Sequence, residues 1–204
     1  VSQAHSRIVA MVDTKQSKTA GEYHVAAELA RRDWAPALTR DGLARTDILA
    51  VNTVRPDRRQ IEIQVKASRG PVTKNTSWAL GLKDQGPSAH EREYYVLVAL
   101  PDDLLAPPRN FIVPRVHLSA ATFISHRDWL TEPGIEPGIR NAGHDRARVK
   151  LPVFAAYEDR WDLLNYDQSQ VPVLLPHHYQ ALATDPRVGL PAGHEWNHHF
   201  PEWC

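Results

Sequence analysis

The run Tyr94-Tyr-Val-Leu-Val-Ala-Leu100 constrains this chain more than any other feature. Side chains of an extended backbone alternate between two faces, so an all-apolar run leaves neither face fit for water. Such a strand sits inside a sheet covered by layers on both sides. Other strand-like stretches surround it: a weak one at Ala35–Thr39, then Asp47–Val51, Gln60–Lys66, Ser77–Leu82 and Asn110–Val113, the last stopped by Pro114. Arg55-Pro-Asp-Arg-Arg59 supplies the turn that makes a hairpin of the Asp47 and Lys66 strands.

A helix precedes the strands. Thr19-Ala-Gly-Glu22 has the form of a capping box, which predicts a helix from about Ala20 to Arg32 with Val25, Ala26 and Leu29 as its apolar stripe. Pro36 ends any continuation. Before it, Ile8, Val9, Met11 and Val12 could form a short docked element. After Val116 the strand periodicity fades. A short helix is expected within His117–Leu130 and another over Ala156–Leu164, and the tail from Val171 is rich in Pro, His and Trp. The order of elements predicts an α/β sandwich with a central mixed sheet and an irregular C-terminal extension. The expected organisation is an N-terminal segment 1–18, a core 19–118 and an accessory region 119–204 packed on that core.

Lys plus Arg equals Asp plus Glu at 24 each, so the chain lacks the visible basicity of a protein that only coats nucleic acid. An enzyme whose acidic ligands offset its phosphate-binding cations fits this balance. No apolar stretch approaches the roughly 20 residues that cross a bilayer, so no membrane span is expected. There is no charged-then-apolar leader pattern, and the single cysteine, Cys204, permits no internal disulfide. Both point to a cytoplasmic protein.

The chemistry concentrates on one strand. Glu62, Gln64 and Lys66 share a face, while Ile61, Ile63 and Val65 point into the core. The hairpin brings Asp47, at the head of the neighbouring strand, toward the Gln64/Lys66 end. Glu22 lies three, four and seven residues before Val25, Ala26 and Leu29, which places a carboxylate on the margin of a buried stripe. Such a charge needs a partner or a metal. Each residue has a plainer role available: Glu22 as a capping residue, Asp47 as a loop terminator, and Glu62, Gln64 and Lys66 as the solvated face of an amphipathic strand.

The matching residues are Gly21-Glu22 with Leu29, Thr46-Asp47-Ile48-Leu49-Ala50, and Ile63-Gln64-Val65-Lys66-Ala67-Ser68. In that order they resemble the PD-(D/E)XK nuclease superfamily. The likeness is to restriction-endonuclease-like and Holliday-junction-resolvase-like members, in a branch with Gln for the third acid, over about residues 18 to 115. The resemblance implies a restriction-endonuclease-like sandwich and a metal-dependent endonuclease that hydrolyses phosphodiesters, with DNA as partner. It implies Mg²⁺ or Mn²⁺ held by Asp47, Gln64, the Val65 backbone carbonyl and Glu22, with Glu62 as a further candidate. Lys66 would orient the attacking water or stabilise developing charge, and a homodimer is suggested because many relatives cut two strands as dimers. Gln64 is a neutral and weaker ligand than an acid, which keeps open a catalytically silent domain that binds nucleic acid or protein. A zinc-binding structural protein built on His194, His198, His199 and Cys204 is a second alternative; an unmetallated aromatic tail is the plainer reading, and His177-His178 reads as a surface pair. Arg69, Lys74, Lys83 and Arg92 follow the site as candidate phosphate contacts, a solvated surface being their plain reading.

Overall fold

The computed structural model describes residues 14–39, 42–136 and 138–203. The candidate element at Ile8–Val12 and the Cys204 thiol lie outside them. The first helix, α1, spans Thr14–Ala30 and buries Ser17, Gly21, Val25 and Leu29, one stripe at four-residue spacing. It begins earlier than the capping pattern implies. Nothing between Thr14 and Thr19 is a Gly or Pro that would stop it, so Thr19 and Glu22 are interior helical positions rather than a cap. Gly21 sets how closely the helix approaches the sheet: a Cβ there would sit 2.7 Å from the Ala67 Cβ.

Five strands form the main sheet: β1 (Trp34–Leu38), β2 (Ile48–Asn52), β3 (Gln60–Arg69), β5 (Glu93–Leu100) and β6 (Arg109–Pro114), in spatial order β1-β2-β3-β5-β6. Only β3 and β5 run parallel, so the sheet is mixed, and the fold is the α/β class that the order of elements predicts. Pro36 falls within β1, an edge strand, where a missing N–H is tolerated. β5 is buried on both faces from Glu93 to Ala99, as its uniform apolarity requires. β2 and β3 form the expected antiparallel hairpin, but their pairing stops at Ile48 opposite Ile63. Among the described residues, β3 has a neighbouring strand from Gln64 to Arg69 on the β5 side alone.

The parallel β3–β5 connection carries β4 (Ser77–Ala79) and the short helix α2 (Leu82–Gln85). The predicted strand Ser77–Leu82 is therefore cut short, because Gly81 turns the chain into α2. β4 pairs instead with β7 (Arg148–Lys150) in a separate two-stranded sheet. That small sheet is pinned by Trp78, whose indole meets Phe111 edge-on at 5.4 Å and donates to the Val98 carbonyl at 3.1 Å.

Helix α3 fills Arg115–Leu130, longer than the short helix expected. The expected helix Ala156–Leu164 is replaced by two 3₁₀ segments, Leu151–Tyr157 and Trp161–Asn165. Asp159 between them adopts a left-handed backbone (φ 50°), and its amide donates to Asn110 of β6 at 2.8 Å. Docking on the sheet edge thus wins over helix continuation. A last short helix, α4, spans His178–Thr184, and Val171, Val173, Leu175, Tyr179 and Trp196 join the same buried cluster as the sheet. Among the described residues no helix is long and apolar enough to cross a membrane.

Candidate active site at the end of the hairpin

The early end of β2 opens a notch beside β3, and Asp47 sits at its mouth. Its amide makes the last hairpin bond, to Ile63 O at 2.9 Å. Its carboxylate then accepts from the Val65 amide at 2.8 Å and from the Gln64 side-chain amide. Gln64 must offer its nitrogen, since an amide oxygen turned to a carboxylate would be repelled. The two polar groups of one strand residue point to the same side. Ile63 O and Val65 N face the notch, so the Val65 carbonyl faces it as well, beyond the last paired residue of β2.

Glu22 reaches the notch from α1. Gly21 rests on Val65 and Ala67, the side of β3 opposite to Gln64 and Lys66, and this close approach carries Glu22 to the strand edge. Between the two carboxylates lies the Lys18 ammonium, 3.4 Å from Glu22 Oε1 and 3.7 Å from Asp47 Oδ1. The Lys18 side chain is 48% exposed, whereas those of Glu22 and Asp47 are 19% and 10% exposed. Two sheltered anions thus share a half-exposed cation.

Lys66 points to a different acid. Its Nζ lies 3.0 and 3.3 Å from the two oxygens of Asp84, on α2. Asp84 also accepts from Gly81 N at 2.9 Å and from the Tyr95 hydroxyl at 3.0 Å. Behind it, Arg115 donates to Tyr95 at 2.8 Å and to the Lys83 carbonyl at 2.8 Å, and lies 3.5 Å from Glu93. Burial, together with the neighbouring Asp84 charge, pushes the Tyr95 hydroxyl well above the usual phenol range, so it serves as a neutral donor. Asp47, Gln64, Lys66, Asp84, Lys18 and Lys83 line one cleft of about 270 Å³.

Lys18, Asp84, Tyr95 and Arg115 were not among the site residues expected from sequence. Lys18 was hidden by the assumed helix start at Thr19. Asp84 was hidden because it falls just past the expected strand Ser77–Leu82, where the sequence marks no element. Arg115 had a weak signal, a cation directly after an apolar strand and a proline.

Glu62 shares the polar face of β3 but belongs to a second group. Glu62, His90 and Glu93 hold ligand-type atoms within 4.8 Å of one another and could hold a metal ion. The protein already neutralises them. Thr46 donates to Glu62 at 2.7 Å, His90 Nε2 lies 3.1 Å from Glu62, and Ala89 N and Arg45 contact Glu93 at 2.8 and 3.4 Å. Burial alone would raise the Glu62 carboxyl, but the hydrogen bonds from Thr46 and His90 outweigh it and hold the group below the usual range.

The tail histidines are placed differently. His194 is buried, with Nε2 at 3.0 Å from Val116 O and Nδ1 accepting from Trp196 N at 3.2 Å. Both nitrogens are spent inside the protein, which removes His194 from any zinc set. His177 and His178 are exposed. Of the candidate phosphate contacts, Lys83 lines the Asp47 cleft, Arg92 lies 3.7 Å from Asp167 at another cleft, and Arg69 and Lys74 are exposed.

A hard divalent cation takes several oxygen ligands near carboxylates. The notch offers the Asp47 and Glu22 carboxylates and the Val65 carbonyl, with Gln64 turning its nitrogen to Asp47 and able to present its oxygen only after an amide flip, and an ammonium already lies between the two acids. The donor set therefore fits such an ion.

No family model matches this sequence, and no curated protein matches it. Among solved structures, the chain is similar to Hjc of Archaeoglobus fulgidus, a Holliday junction resolvase from an archaeal hyperthermophile, at 15% identity and a TM-score of 0.34, over 67% of this chain and 91% of that one.

Proposed function

We propose that this protein is a metal-dependent phosphodiesterase, an endonuclease acting on nucleic acid and on DNA foremost. The observation that carries the reading is the convergence of Asp47, Gln64 and Lys66 in one cleft at the end of the β2–β3 hairpin, with Glu22 approaching from α1. Asp47, the Val65 carbonyl, the Gln64 oxygen and Glu22 would hold Mg²⁺ or Mn²⁺. Bound there, the ion supplies Lewis acidity toward a phosphoryl oxygen and a more acidic water. Lys66 carries the charge that orients the attacking water or stabilises the developing oxyanion. Asp84 keeps that ammonium in place, and the Tyr95–Arg115 pair fixes Asp84 in turn.

A divalent-metal-dependent cleavage assay on plasmid, single-stranded and branched DNA tests the reading. Asp47→Ala and Lys66→Ala should each abolish cleavage with the fold intact. Calorimetry should show weakened Mg²⁺ binding in Asp47→Ala and nearly unchanged binding in Lys66→Ala. Cleavage surviving both changes would refute the site.

One observation favours a second reading, a catalytically silent domain on the same scaffold. Both oxygens of Asp47 already face protein donors, Val65 N and Gln64 on one side and Lys18 on the other. A metal titration that shows no binding, in a protein that still binds DNA, would select it.

A further inference from the structure

The cleft at Asp47 does not end there. Through Gln64 and Lys66 it adjoins a hollow of about 370 Å³ that also touches Ala67, Trp78 and Ala79. Through Ala67 and Trp78 that hollow adjoins another, of about 310 Å³, which reaches Ser68, Arg69 and Arg148. A third, of about 380 Å³, continues past Arg69 and Arg148 to Thr73, Asn75 and Thr76. The three form one channel along the part of β3 that has outrun β2. Its far wall is the β4–β7 sheet, and its near wall is the start of α1 at Thr14 and Ser17.

No aspartate or glutamate is among the described residues that line these three hollows. The cations are Lys18 and Lys66, already paired with Glu22 and Asp47 and with Asp84, and Arg69 and Arg148, which meet no acid among the described residues; the remaining polar groups are mainly hydroxyls and the amides of Gln64 and Asn75. Arg148 is held by Ser77, with its guanidinium donating to the hydroxyl and the carbonyl at 3.1 Å each. Arg69 is exposed and makes no ion pair among the described residues. The strand edge adds backbone polar groups, because β2 no longer pairs with β3 there. The one aromatic residue, Trp78, is only 2% exposed and offers no face on which a base could stack.

We infer that this channel seats the sugar–phosphate backbone of one polynucleotide strand, running from the Asp47 cleft to Arg69 and Arg148. Cations, hydroxyls and backbone amides are the groups that contact phosphates, and they carry no base preference. The five residue steps from Gln64 to Arg69 span roughly 16 Å, enough for several phosphates beyond the one at the cleft. An open strand edge also suits an extended peptide, but Arg69 and Arg148, with no acid beside them among the described residues, favour a polyanion. The inference rests on the proposed function only for where the scissile phosphate lies.

The test is fluorescence anisotropy with a labelled oligonucleotide, single-stranded and duplex, in EDTA so that cleavage does not intervene. Arg69→Glu and Arg148→Glu are compared with Arg58→Glu, the same charge change on the exposed β2–β3 turn at the opposite end of β3. Thermal melts confirm folding, and Arg69→Gln and Arg148→Gln provide milder versions. Each channel variant should weaken binding at least about fivefold and lower the salt slope by about one, with little change between base sequences. Arg58→Glu should do neither. Unchanged affinity and slope in both channel variants would overturn the channel, as would competition by an uncharged extended peptide with no response to the oligonucleotide. Metal-dependent cleavage that persists with unaltered KM in the double variant would overturn the channel and leave the nuclease standing. Channel-dependent binding without cleavage would do the reverse.

Discussion

Two acidic groups flank β3, Glu62/His90/Glu93 near its start and Asp47/Glu22 at the end of the hairpin, and they differ in what neutralises them. At Glu62/His90/Glu93 the counter-groups are a hydroxyl, a backbone amide, the buried Arg115 and the part-exposed Arg45. At Asp47/Glu22 the shared cation is Lys18, on a half-exposed side chain of a helix. The first is tied by a buried guanidinium and several hydrogen bonds, and the second by one half-exposed ammonium. Ligand-type residues in proximity are thus a weaker sign of a working site than acids whose counter-charge is one half-exposed side chain.

The sharpest way to break the comparison is to remove one acid from each group. Asp47→Ala should lower the initial rate of Mg²⁺-dependent plasmid nicking by at least about a hundredfold. Glu62→Ala should change it no more than about twofold. Equal losses would move the chemistry to the Glu62/His90/Glu93 group.

Lys18→Met tests the half-exposed cation directly. Removing the ammonium leaves two carboxylates facing one gap, so Mg²⁺ affinity measured by calorimetry without nucleic acid should rise about tenfold, equivalent to about 1.4 kcal/mol. Unchanged or weaker binding would mean that Lys18 does not occupy the ion's place. Gln64→Glu should act in the same direction by a similar or smaller factor, because a carboxylate attracts a hard cation more than an amide does. It should also lower the melting temperature of the metal-free protein, since Asp47 would lose its amide donor and meet a like charge. Metal affinity unmoved by this change would remove Gln64 from the ligand set.

The smallest effect belongs to Glu62 as a structural ion. Its carboxyl is held below the usual range, so the stability it contributes is present above about pH 4.5 and fades as pH falls through its folded value. The group is partly exposed, so Glu62→Gln should cost at most about 1 kcal/mol at neutral pH and nothing once the carboxyl is protonated. Urea melts at pH 7 and below pH 4 would show the difference, and a loss that persists in acid would point to packing instead.

Much of the sheet was legible because its residues obey short periods. The alternation of Ile61, Ile63 and Val65 gave β3 its two faces, and the apolar run at Tyr94 gave the doubly covered strand. Local cues failed where tertiary contact decided the outcome. The Thr19/Glu22 pattern was overridden by a helix that continues upstream, and the 156–164 helix by docking of Asp159 on β6. The site divided along the same line. Asp47, Gln64 and Lys66 lie close in sequence on one hairpin and could be paired from pattern alone. Asp84, Tyr95 and Arg115 meet Lys66 through a crossover and the start of a following helix, contacts that no spacing rule encodes.

The overhang of β3 has a consequence for how copies of this protein treat one another. A strand edge without a neighbour is a template on which a second copy can add its own strand, the first step toward ordered aggregation. Arg69, exposed at the end of the overhang, would oppose such pairing, since two such edges brought together would bring like charges near one another. Neutralising Arg69 would therefore remove a safeguard of solubility, and the protein would be expected to self-associate more readily at low salt as its concentration rises.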